Sequence, residues 1–138
     1  MKWTQTSINR SVFWLSIATG AVLCAIGLRF LIQPETAAGF FGIDRRAPGI
    51  APHAAIALRD LWLGLILIAF TVLKDWRAIA IWLGLGALVC LGDAAIALVS
   101  SGRWVSVSFH VASGLFCTWL ASAAWCLHGR SKRTSDRG

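Results

Sequence analysis

Four long runs of apolar residues, separated by short polar segments, dominate the chain. They cover about residues 12–32, 54–73, 78–99 and 105–127. Each run has the roughly 20 residues that an α-helix needs to cross the hydrocarbon core of a bilayer. Beside four such spans, the 138 residues of the chain leave little room for a soluble domain. We therefore predict an all-α fold, a membrane-embedded four-helix bundle, over residues 12–128.

The longest connection of the chain, residues 33–53, lies between the first two spans. It opens with PETAAGFFG at Pro34–Gly42, which has a proline and a glutamate where a helix would begin and a glycine where it would end. This pattern predicts a short interfacial helix after the first span. Residues 43–52 contain two prolines and a glycine, so we expect a turn-rich segment there.

The composition is that of a membrane protein. Hydrophobic residues make up 57% of the chain, charged residues only 14%, and the mean hydropathy is +0.70. The net charge of +7 does not indicate nucleic-acid binding, because the Lys and Arg residues lie at span ends and in the C-terminal tail without a stacking platform between them. We therefore expect a lipid bilayer, and no nucleic acid, as a partner.

Lys and Arg are distributed unevenly between the two ends of the predicted bundle. The end with the termini has Lys2, Arg10, Lys74, Arg77, Arg130, Lys132, Arg133 and Arg137, and the other end has Arg45, Arg46 and Arg103. Because cytoplasmic segments carry the excess of positive charge, residues 1–11 and the basic tail 129–138 are predicted to be cytoplasmic, in a plasma or inner membrane. The 33–53 loop is then an outer loop.

Small and polar residues recur at helical spacing along one face of each span. The faces hold Ala18, Ala21, Val22, Ala25 and Arg29 in the first span, Asp60, Gly64, Leu67 and Thr71 in the second, Gly86, Cys90, Asp93, Ala97 and Ser100 in the third, and Ser106, His110, Gly114, Cys117, Ala121 and Ala124 in the fourth. Small residues mark helix contacts in membranes. Asp93 and His110 are therefore predicted to point into the bundle.

Asp93 and His110 are the candidate catalytic residues. An ionisable group inside a span is costly and is therefore a candidate functional group. A rise of about 1.5 Å per residue places each of them roughly 10 Å from the outer end of its helix. A carboxylate beside an imidazole would orient the ring and raise its basicity, giving a proton-transfer pair. Two structural alternatives stay open, an ion pair of Asp93 with an arginine and a packing hydrogen bond of His110.

Arg29, Arg59 and Asp60 are the candidate ligand-binding residues. Arg29 is either a member of an ion pair or an oxygen-binding clamp at the pocket, or a side chain that reaches the outer interface. Arg59 and Asp60 are neighbours, so we expect Asp60 to face inward and Arg59 to face the loop or the lipid headgroups. All five candidates fall in the outer half, and the inner half has no charged residue between its span ends. This asymmetry predicts an outward-facing polar pocket closed below by apolar packing.

The four cysteines give no sign of a metal site. Cys24, Cys90, Cys117 and Cys126 all lie inside apolar runs, without a CxxC motif or a Cys/His ligand spacing. We therefore expect buried free thiols, no metal site and no cofactor.

Three classes of function are compatible with these features. The first is a pocket that binds a small lipophilic molecule and transforms it by general acid/base chemistry, such as isomerisation, cyclisation or epoxide hydrolysis. The second is a non-catalytic accessory or scaffold subunit, acting as a homo-oligomer or with a partner membrane subunit. The third, a proton-coupled carrier, is the weakest because the inner half has no polar path. The sequence leaves open whether the protein is an enzyme.

Three segments give the chain a resemblance to a known family. They are GLRFLIQPETAAGFFGI with Gly27, Arg29, Pro34 and Phe41–Gly42, ALRDLWLGLILIAF with Arg59–Asp60 and Gly64, and LGDAAIALVSSG with Gly92–Asp93, followed by His110. Over about Val12–Leu127 the chain resembles small four-span membrane proteins of the DoxX-like type, and especially an uncharacterised DUF4267-type family among them. The resemblance implies a four-helix membrane bundle and no agreed reaction.

Overall fold

The structure, a computed structural model, describes residues 2–42 and 51–135. Within these ranges it contains no strand and five helices, α1 Lys2–Ile32, α2 Pro34–Phe41, α3 Ala51–Val72, α4 Trp76–Ser100 and α5 Trp104–Ser135. Four of them are long and apolar enough to cross a membrane, over Ser7–Ile32, His53–Val72, Trp76–Ser100 and Trp104–Ser131. The predicted all-α four-span bundle is confirmed. The assignment of its two ends to the cytoplasm and the outside stays a prediction.

The helices extend beyond the predicted spans at both termini. α1 begins at Lys2 and α5 continues to Ser135, although both ends are polar. Extending an existing helix adds one hydrogen bond for each residue that is fixed, so polar residues can continue a helix that the apolar run has started. The turn-rich segment predicted at residues 43–52 lies outside the described residues, except for Ala51 and Pro52, which belong to α3.

The interfacial helix predicted at Pro34–Gly42 is present as α2. Pro34 suits the first turn of a helix, where its missing N–H needs no partner. Gly42 ends α2 in the left-handed conformation, with φ 97°. A Cβ on Gly42 would lie 2.8 Å from Cβ of Ser106 and 2.9 Å from Cβ of Ala97. Glycine therefore allows the end of α2 to dock against α4 and α5.

The long helices form two closely packed antiparallel pairs. α1 packs against α3 and α4 against α5, whereas the two pairs contact each other less. An apolar core joins the pairs near the end of the bundle that carries the termini, and consists of Val12, Leu67, Ile79, Ala80, Leu83, Leu120, Ala124 and Leu127. We call this end the terminal end, and the opposite end, with α2, the loop end.

Glycines set the close spacing of α1 and α3. A Cβ on Gly64 would lie 2.5 Å from the carbonyl oxygen of Gly20 and 2.6 Å from Sγ of Cys24. A Cβ on Gly27 would lie 2.7 Å from the carbonyl oxygen of Ala57. The two backbones therefore touch, as small residues permit in membrane helices.

The packing face predicted for the first span is wrong. Ala18, Ala21, Val22, Ala25 and Arg29 are all exposed, whereas Gly20 and Gly27 are buried against α3. Two small-residue faces exist on α1, and the face with glycine allows the closer helix approach.

Trp82 lies between the two pairs and packs against the apolar core near the terminal end. Its indole N–H donates to the carbonyl oxygen of Leu63 at 3.1 Å. Its ring packs edge-on against Trp62 and Phe70 of α3, with centroid distances of 4.8 and 6.0 Å. This large side chain therefore joins α4 to α3.

Candidate functional site

A cavity of about 560 Å³ lies between the two helix pairs. This volume falls within the roughly 300–1,000 Å³ that is usual for small-molecule sites. The apolar core closes the cavity towards the terminal end, and Ala37, Phe40 and Phe41 of α2 line it at the loop end. Its walls are mostly apolar. All five predicted site residues line this one cavity: Arg29, Arg59, Asp60, Asp93 and His110.

Arg59 connects the two buried carboxylates. Its Nη1 and Nη2 donate to Oδ1 and Oδ2 of Asp93 at 2.8 and 3.1 Å, and its Nε donates to Oδ1 of Asp60 at 2.9 Å. The side chains of Asp60 and Asp93 are only 5% and 9% exposed, and that of Arg59 is 31% exposed. Bidentate arginine–carboxylate pairs such as Arg59–Asp93 are among the stronger hydrogen-bonded interactions in proteins.

The prediction that Arg59 faces the loop or the headgroups is therefore wrong. Its side chain is long enough to turn across to α4, where it neutralises charge that is costly to bury. Asp60 faces inward as predicted, together with Gly64, Leu67 and Thr71, which are all buried.

His110 is hydrogen-bonded to α2 and not to Asp93. Its Nε2 lies 3.0 Å from the carbonyl oxygen of Phe41, and the two rings pack edge-on at 4.4 Å between centroids. Because a carbonyl oxygen only accepts, Nε2 carries the proton of the neutral ring and Nδ1 keeps a lone pair. The predicted pairing of Asp93 with His110 is wrong, since each of them has a different partner.

Three side chains, one just before α5 and two in its first turns, hold the C-terminus of α2. They donate to its last three carbonyls: Arg103 Nη1 to Gly39 at 2.6 Å, Ser106 Oγ to Phe40 at 3.0 Å and His110 Nε2 to Phe41 at 3.0 Å. The last carbonyls of a helix have no partner within it. Side chains three and seven residues apart share one face of a helix. The start of α5 therefore fixes α2 over the loop end of the cavity.

Replacing Ser106 by alanine tests this docking. We expect the free energy of unfolding to fall by about 0.5–1.5 kcal/mol, because the Phe40 carbonyl loses its donor. Ser108→Ala is the matched control, since Ser108 is exposed on the same helix. Both variants are unfolded with SDS in mixed micelles and followed by circular dichroism. Equal losses at the two positions would refute a docking role for Ser106.

Sequence reasoning missed Arg103, Ser106 and Phe41 as site residues. The sequence contained a signal for Arg103 and Ser106, because they precede His110 at helical spacing. Phe41 had no such signal, although its ring lies 5.8 Å from the guanidinium carbon of Arg59. His53 is not among the residues that line the cavity; it is buried in α3 and stacks on Phe30.

The remaining polar candidates differ in burial. Arg29 is exposed at the rim of the cavity and makes no ion pair with any described residue. Cys90 and Cys117 line the cavity and are partly buried, and Cys126 is exposed, so the expectation that all thiols are buried is wrong. The described ranges contain no group of three or more His, Cys, Asp and Glu side chains that could hold a metal ion.

Comparison with known proteins places the chain in a family. The model for the Domain of unknown function (DUF4267) matches residues 20–126. The chain belongs to the DUF4267 family. The matched region contains α2, the glycine contacts of α3 with α1 and every polar candidate of the cavity. No curated protein sequence and no solved structure matches the chain, and the wider DoxX-like resemblance is not confirmed.

Proposed function

We propose that the cavity binds a small lipophilic molecule, with the polar group of that molecule beside Arg59, Asp60 and His110. The observation that carries the proposal is the convergence of these polar groups on one end of an otherwise apolar cavity. Such a combination is the usual form of a small-molecule site. Ionisable groups within membrane spans are costly, which favours a functional reason for keeping several of them.

The proposed chemistry at this end is general acid/base catalysis by His110 and Asp93. His110 is the better base, because Nδ1 accepts no hydrogen bond from a described residue. Asp93 accepts from Arg59 at both oxygens, so it becomes a base only when a ligand displaces the guanidinium. Arg59 supplies positive charge to an oxygen that becomes negative during isomerisation, cyclisation or epoxide opening.

A scaffold role is the second candidate. It is favoured by the completeness of the Arg59–Asp93 ion pair, which joins α3 to α4 without any ligand. A scaffold needs no occupied cavity, whereas the first proposal does. The two candidates are therefore separated by filling the cavity without breaking the ion pair.

Gly86→Leu fills the cavity. Gly86 lines it, and an added Cβ there meets nothing within 4 Å, so the leucine enters empty space. We expect the lipophilic molecules that copurify with the protein to fall about tenfold, corresponding to about 1.4 kcal/mol of affinity. Stability should hold or rise, because leucine favours a helix over glycine. The readout is mass spectrometry of extracts from the purified protein, beside its thermal unfolding.

Gly84→Leu is the matched control for this experiment. Gly84 is two residues away on α4 and equally open to an added side chain, but it does not line the cavity. The control should carry the same molecules as the unsubstituted protein. If Gly86→Leu also carries them in full amount, the binding proposal fails and the scaffold role is favoured.

A further inference from the structure

The buried polar end of the cavity has a hydrogen-bond acceptor that the protein leaves unused. Asp60 and Asp93 together offer four carboxylate oxygens, and three of them accept from Arg59. The fourth, Oδ2 of Asp60, accepts no hydrogen bond from a described residue, although Asp60 is only 3% exposed. Oδ2 of Asp60 is not among the fully buried side-chain atoms without a partner, so it is reached from the cavity that Asp60 lines. This oxygen is therefore available to a ligand that donates a hydrogen bond.

The net charge at the polar end of the cavity also favours a ligand head that donates a hydrogen bond. Arg59, Asp60 and Asp93 together carry one net negative charge, and Nδ1 of His110 adds a second acceptor. Among the residues that the structure describes, the other cation lining the cavity is Arg29, which is exposed at the rim, where ions and water screen its charge. An anionic head placed beside the two carboxylates would be repelled.

The rest of the cavity is apolar and elongated. α1 lines it from Leu15 to Phe30 and α5 from Phe109 to Cys117, which are about 23 and 12 Å at helical rise. The hydroxyls of Thr19 and Ser113 are bonded to carbonyls of their own helices, at 2.7 and 2.9 Å. These walls suit a hydrocarbon chain without further polar groups.

One side of the cavity is open between α1 and α5. These helices touch little, and Val22, Phe109 and Phe116 line the cavity while remaining 55%, 45% and 39% exposed. Ala18 and Ala112 also line it and are exposed, and their small side chains leave the gap wide. In a membrane-spanning bundle this gap faces lipid chains, so it opens to the hydrocarbon region.

We propose that the ligand is a single-chain amphiphile of the bilayer, with an alcohol or amine head, that enters sideways between α1 and α5. Its head donates a hydrogen bond to Asp60 Oδ2, and its chain lies along α1 towards Leu15. This proposal rests on the proposed function, since it names the class of molecule that the same cavity holds.

Three photoreactive probes test the class. They share one diazirine-bearing hydrocarbon chain and differ in the head, which is an alcohol, a primary amine or a carboxylate. The full-length protein is held in phosphatidylcholine nanodiscs, illuminated with each probe, and mapped by peptide mass spectrometry. We expect the alcohol and the amine to label α1 and α5 residues beside the gap, and the carboxylate to label them about tenfold less.

Two variants test the head group and the entry route of the ligand separately. Asp60→Asn should reduce labelling by the amine about tenfold, because the unused oxygen loses its charge. Ala112→Trp should slow labelling by the alcohol, because the gap becomes narrower. An unchanged rate in Ala112→Trp would overturn entry between α1 and α5. If Asp60→Asn does not fold, the labelling of the unsubstituted protein by the three probes decides whether the head is a hydrogen-bond donor.

Two further outcomes distinguish the failure of this proposal from the failure of the proposed function on which it rests. Labelling by the carboxylate that equals or exceeds the others, and that Arg29→Gln abolishes, would overturn the donor class and leave cavity binding intact. Labelling by all three heads that Gly86→Leu does not reduce would overturn cavity binding itself.

Discussion

Replacing Arg59 by methionine is expected to lower the free energy of unfolding by about 3–5 kcal/mol, the usual cost of removing one partner from a buried ion pair. The substitution leaves Asp60 and Asp93 buried without a cation and removes all three hydrogen bonds that they receive from Arg59. The measurement is SDS-driven unfolding of the protein in mixed micelles, followed by circular dichroism.

Arg29→Met is the matched control for Arg59→Met. Arg29 also lines the cavity but is exposed and makes no ion pair with a described residue, so its loss should change stability by no more than about 0.5 kcal/mol. Adding Asp93→Asn to Arg59→Met should recover part of the loss, because one of the stranded charges is removed. Equal effects of Arg59→Met and Arg29→Met would show that the ion pair contributes nothing to folding.

Gly64→Ala is expected to destabilise the protein by about 1–3 kcal/mol, the usual cost of overpacking. The added Cβ would lie 2.5 Å from a backbone oxygen of α1, and a backbone atom cannot move aside as a side chain can. α1 and α3 must therefore separate along their contact. The variant is compared with the unsubstituted protein in the same SDS titration.

Gly84→Ala is the control for backbone effects at a helical glycine. An added Cβ on Gly84 meets nothing within 4 Å. The free energy of unfolding of the Gly84→Ala variant should stay the same or rise by up to about 1 kcal/mol, because alanine favours a helix more than glycine does. A gain of the same size in Gly64→Ala would contradict the close contact of α1 with α3.

Much of the fold follows from physical rules that a single sequence already displays. The thickness of a bilayer fixes how long an apolar helix must be, so the spans were predictable from run length alone. The glycine that ends α2 was also visible, because the left-handed conformation at Gly42 is one that glycine adopts freely. The polar ends of α1 and α5 were not predicted as helix, since they lie beyond the apolar runs.

The inward-facing residues of the candidate site were predictable from the sequence, but the hydrogen bonds between them were not. Helical spacing placed Asp60, Asp93 and His110 on inward faces, because that inference needs only the geometry of one helix. The link from Arg59 to Asp93 joins residues on different helices, and it depends on how those helices are arranged. On α1 two small-residue faces compete, and spacing alone cannot distinguish the one that touches a helix from the one that borders a cavity.

The bonds that hold α2 have a consequence for biosynthesis. Arg103, Ser106 and His110 follow their carbonyl partners by 64, 66 and 69 residues. At a translation rate of about 5–20 residues per second, roughly 3–14 s pass between the synthesis of these carbonyls and that of their donors. A nascent chain that has inserted only three spans therefore has α2 without the donors of α5. α2 is held over the loop end of the cavity only after the fourth span has been inserted, so the binding that we propose for the cavity requires all four spans.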